Sequence, residues 1–91
     1  MEIIKYLGDL LAEKLDIKPA AARGLLKLGI MDRFGPFKVL NQLNFNDYKE
    51  VIQHEVKNRL ELLEISNIEA IIEWLINSLV ENQSIITLGE V

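Results

Sequence analysis

Lys18-Pro-Ala-Ala-Ala-Arg-Gly-Leu-Leu-Lys-Leu-Gly-Ile-Met-Asp-Arg33 decides the reading of this chain, because its start, its stop and its bulk can all be read. Pro19 suits the first helical position, where a missing N–H leaves no bond unmade. Gly35-Pro36 ends the helix, with glycine just past it and a proline that cannot continue it. Ala20, Ala21, Ala22 and Gly24 leave the first half almost without side-chain bulk, so another backbone can approach closely. Leu25, Leu26, Leu28, Ile30 and Met31 supply apolar contact further along. The pattern is that of a packing element.

Upstream, Ile3, Ile4, Leu7, Leu10, Leu11 and Leu15 recur at helical spacing, predicting a helix over 2–15 that Gly8 weakens by about 1 kcal/mol relative to alanine. Asp16-Ile17-Lys18 is a tight link into the second helix, at 19–33. Downstream, residues 34–45 read as the longest non-helical stretch, yet carry Phe34, Phe37, Val39, Leu40, Leu43 and Phe45. Such a loop is either pinned across the helices, with Phe37–Leu40 as a short strand, or offers aromatics to a partner. A third helix opens at Asn46 or Asp47, where Asp47 and Glu50 approximate a capping box, and runs to about Leu63. Tyr48, Val51, Ile52, Val56, Leu60 and Leu63 are expected inward. Ser66-Asn67-Ile68-Glu69 spells a second capping box and predicts a fourth helix over about 67–81, with Trp74 between faces. Beyond Asn82, Ile85, Ile86, Thr87 and Leu88 are strand formers, read as an extended segment that pairs with Phe37–Leu40 or hangs as a tail. The expected fold is all-α: one four-helix domain spanning 1–91, with an irregular apolar loop between helices 2 and 3 and a short extended C-terminus.

With 91 residues, of which 49% are hydrophobic, the chain has little interior in which to hide its apolar surface, so part of it is expected to face a partner. No cysteine is present, which excludes disulfides, thiolate metal sites and a cysteine nucleophile. No signal-peptide pattern and no apolar run of membrane-spanning length is read, and the cytoplasm is the expected compartment. Residues 1–40 hold seven Lys/Arg against five Asp/Glu, for +2, and residues 41–91 hold three against nine, for −6, which sum to the net charge of −4. Overall acidity argues against sequence-independent binding to nucleic acid.

The sequence assembles no catalytic constellation. His54 is the one histidine, and no second ligand or triad partner accompanies it. Glu61 and Glu64, like Asp47 and Glu50, sit among solvating charges. Gly24-Leu-Leu-Lys27-Leu-Gly29 has its glycines and lysine in the wrong order for a phosphate loop. No catalytic residue, metal, cofactor or small-molecule substrate is assigned, and the chain is not expected to be an enzyme. Gln83 and Ile86 begin a clamp-binding peptide, but Gly89 and Glu90 stand where its aromatics belong.

Taken together, the 19–28 block, Phe34-Gly-Pro-Phe37, Asn41-Gln-Leu-Asn44 and Asn82-Gln-Ser-Ile-Ile-Thr-Leu-Gly89 resemble a family of short archaeal proteins, the smaller accessory subunit of the heterotrimeric B-family replicative DNA polymerase. The resemblance implies a non-catalytic helical subunit that binds the polymerase catalytic chain and supports its stability.

The function read from the sequence is a protein–protein interaction module, an accessory subunit of a larger enzyme and most specifically of a DNA polymerase, with DNA contact indirect or weak. Its contact candidates are Arg23 and Lys27 on the second helix, Phe34 and Phe37 in the loop, and Ile85, Ile86 and Leu88, which could add a strand to a partner's sheet. The alternative is a small helix-turn-helix regulator binding DNA as a homodimer. There Arg23 and Lys27 would face the groove, with Lys14, Lys18, Arg33 and Lys38 nearby. Against it, helix 19–33 is mostly Ala, Leu and Ile where a reading helix exposes polar side chains.

Overall fold

The computed structural model describes residues 2–36 and 43–82. They form four helices, and no strand occurs among them: α1 is Glu2–Leu15, α2 is Pro19–Phe34, α3 is a rod over 45–62, and α4 is Ile68–Glu81. The all-α, four-helix expectation holds. The expected Phe37–Leu40 strand and the extended segment of Ile85, Ile86, Thr87 and Leu88 lie outside the described residues.

Each helix is ended by local chemistry. Past α1, Asp16 takes a left-handed φ of 56° and the Ile17 N–H donates back to the Ala12 carbonyl at 3.1 Å. That bond caps an otherwise orphaned carbonyl, as in a Schellman turn, with aspartate where glycine is commonest. Glu64 repeats the device after α3, with φ 57° and an Ile65 N–H to Leu60 carbonyl bond of 3.2 Å. Pro19 opens α2 as read, and Gly35 closes it with its N–H on the Met31 carbonyl.

Two start signals are corrected. The third helix begins at Phe45, not at Asn46 or Asp47, and Asn44 is its cap. The box is reciprocal: the Asp47 N–H donates to Asn44 Oδ1 and the Asn44 N–H to Asp47 Oδ2, both at 2.9 Å. Asp47 is therefore the third residue of the helix, not its cap. The Ser66-to-Glu69 box does not form either; Asn67, at φ 59°, precedes α4 and its side chain makes no capping bond.

The α3 rod has a feature that the sequence pattern only hints at. Its ends, Phe45–Glu50 and Lys57–Leu62, are α-helical, but Val51–Val56 between them is π-helical, and the junction residues keep right-handed helical dihedrals throughout. At about 100° per residue, Val51 and Leu60 would fall roughly half a turn apart. The wide turn takes up an extra residue. Tyr48, Val51, Ile52, Val56 and Leu60 are all buried together as a result. Leu63, expected to join them, lies beyond the rod's last residue and is 55% exposed.

The core is aliphatic: Ile3, Leu7 and Leu11 of α1, Leu26 and Ile30 of α2, the α3 side chains just named, and Leu75 and Leu79 of α4. No polar or charged side chain is buried among the described residues. α2 packs between α1 and the π turn of α3, and α4 closes the other side against α1 and α3. The α1–α4 seam is tied by Asn82 Nδ2, which donates to Tyr6 Oη at 2.7 Å and to the Ser78 carbonyl at 2.8 Å.

Candidate interaction surface

The small residues of α2 divide between two faces. Ala22 and Gly29 point inward with Leu26 and Ile30. A methyl group on Gly29 would come within 3.2 Å of Val51 Cγ1 and 3.3 Å of Val56 Cγ2, so the missing side chain lets the π turn lie against the α2 backbone. The other close approach uses a glycine outside α2: a methyl on Gly8 of α1 would overlap Arg23 Cγ. Gly24, by contrast, has open space where its side chain would be, with no heavy atom within 4 Å. The low bulk of the first half is thus used inside the fold only at Ala22. Ala20, Ala21, Gly24, Lys27, Leu28 and Met31 line up at helical spacing on the outward face. Leu28 is 38% and Met31 46% exposed, which leaves a run of apolar surface that no other described residue covers.

Ion pairs bound this face on both sides. Arg23 Nη1 lies 3.5 Å from Asp9 Oδ1 of α1. On the opposite edge Arg59 holds Asp32 in a two-bond fork, Nε to Oδ2 and Nη2 to Oδ1, each 2.9 Å. Those bonds to the guanidinium hold the Asp32 carboxyl below its ordinary pKa and raise that of Arg59. Beside them Arg33 reaches Glu55 Oε1 at 3.1 Å and Glu50 Oε2 at 3.5 Å, bracketing the π turn, and His54 Nε2 sits 3.1 Å from the same Glu50 oxygen. Arg33 also lies in the last turn of α2, where a cation suits the helix dipole. The Asp32–Arg59 and Arg33–Glu55 pairs join residues 27 and 22 apart, and nothing in the local sequence signals either.

Open clefts also lie elsewhere among the described residues. One of about 530 Å³ lies where α1 ends against the α3–α4 turn, between Leu15, Ile65 and Ile71, with Lys14, Glu64 and Ser66 among its polar groups. Lys14 is engaged there, its Nζ 4.5 Å from the centre of the half-buried Trp74 ring. Leu62 and Leu63, 81% and 55% exposed, stand at the same turn. Another cleft, about 460 Å³, runs between α3 and α4 over Ile72 and Ile76 and is crossed by Lys57, whose Nζ meets Glu69 at 2.7 Å. That contact raises the lysine pKa, first through the hydrogen bond and then through the charge. Among the described residues no group of three His, Cys, Asp or Glu could hold a metal, and no buried side-chain polar atom lacks a hydrogen-bond partner. No helix among them is long and apolar enough to cross a membrane.

The residues singled out from sequence are placed as follows. Arg23 and Lys27 are one turn apart on α2, but Arg23 is half-buried over Gly8 and paired to Asp9, whereas Lys27 is exposed on the outward face. Phe34, expected in the loop, is the last residue of α2 and packs half-buried against the core. Phe37, Ile85, Ile86 and Leu88 lie outside the described residues. Leu28 and Met31, read from the sequence as general apolar contact of the second helix and not among the partner candidates, share the outward face with Gly24 through their three-residue spacing. No protein-family model, no curated protein and no solved structure matches the chain.

Proposed function

We propose that this chain is a non-catalytic protein–protein interaction module, a cytoplasmic accessory subunit that binds and stabilises a larger enzyme. One observation carries the reading: the outward face of α2 presents Leu28 and Met31 to solvent beside Ala20, Ala21 and Gly24, which fill no space inside the fold. Exposed aliphatic side chains beside a low-bulk stretch of helix suit contact with another helix better than chemistry on a small molecule. The enzyme we favour as partner is a replicative DNA polymerase, on the strength of the resemblance carried by the 19–28 block and the segments after it. Direct reading of DNA is the weaker alternative, because Arg23 is committed to Asp9 and Lys27 alone adds a charge to the outward face.

Purification of the tagged chain from its source cells tests the proposal. The expected result is co-elution with one large polypeptide at fixed stoichiometry, and a polymerase activity in that fraction would bear out the choice of enzyme. Elution alone, at the 10.4 kDa of the single chain, would overturn the reading. A low-salt gel shift tests the alternative, which requires steeply salt-dependent binding below micromolar protein.

A further inference from the structure

We draw no further inference here: the strongest candidate, the open cleft where α1 ends against the α3–α4 turn, with Leu62 and Leu63 exposed at the same turn, carries nothing because nothing in the structure shows what covers it.

Discussion

On one side of α2, Ala22 and Gly29 lie sealed with Leu26 and Ile30 against α1 and the π turn; on the other, Ala20, Ala21 and Gly24 stand open beside Leu28 and Met31. The same residue types serve both sides, and composition does not tell them apart. The difference lies in what the absent side chain meets. At Gly29 it is the Val51 and Val56 methyls, and at Gly24 it is nothing within 4 Å. Small residues on the inner face are explained by the fold, and those on the outer face are not.

The comparison breaks most visibly at the leucines. Leu26→Ala should destabilise the fold by about 2–5 kcal/mol, as expected of a buried leucine, while Leu28→Ala stays within about 0.5 kcal/mol of wild type. Urea unfolding followed by circular dichroism measures both, and comparable losses would mean that the outer face is packed. The glycines come next. A methyl on Gly8 meets Arg23, an overlap costing about 1–3 kcal/mol against a helix-propensity gain of about 1 kcal/mol. Gly8→Ala should therefore lower the urea midpoint. Gly24→Ala should raise it, by about 1 kcal/mol of stability, with no opposing contact.

The edge between the faces gives the smallest effect. Asp32 has its folded pKa lowered by the bonds from Arg59, so its contribution is fully present above the unfolded carboxylate value and is lost as pH falls through the folded one. Melting temperatures of wild type and Asp32→Asn from pH 6 to pH 2 should show the variant with the shallower acid slope below about pH 4. Parallel slopes would show that the fork to Arg59 does not persist in solution.

How much of this was legible follows from the range of each interaction. Pro19, Gly35 and the 3.6-residue periodicity act locally, and α1, α2 and α4 stand where those signals put them. Two helix starts departed from their local spelling: Asn44 caps α3 ahead of the expected Asn46 or Asp47 because Asp47 bonds back to the Asn44 N–H, and the Ser66-to-Glu69 spelling forms no box. Which α2 residues face inward could not be read, since alanine and glycine carry no signal of direction. The pairs Asp32–Arg59 and Arg33–Glu55 need α3 to be laid against α2 before they exist. The outer face itself was half legible, through Lys27; Arg23 was read onto it but is drawn toward Asp9.

The wide turn at Val51–Val56 bears on how this chain tolerates a change of length. Losing one residue from the middle of a packed helix ordinarily rotates everything beyond it out of register. Here the loss of Gln53 would leave an unbroken α-helical count in which Val51 and Leu60 come within about 80° of each other. A one-codon deletion at this place, harmful at most others in the rod, would then be absorbed, and relatives of this protein one residue shorter in α3 would keep the same interior.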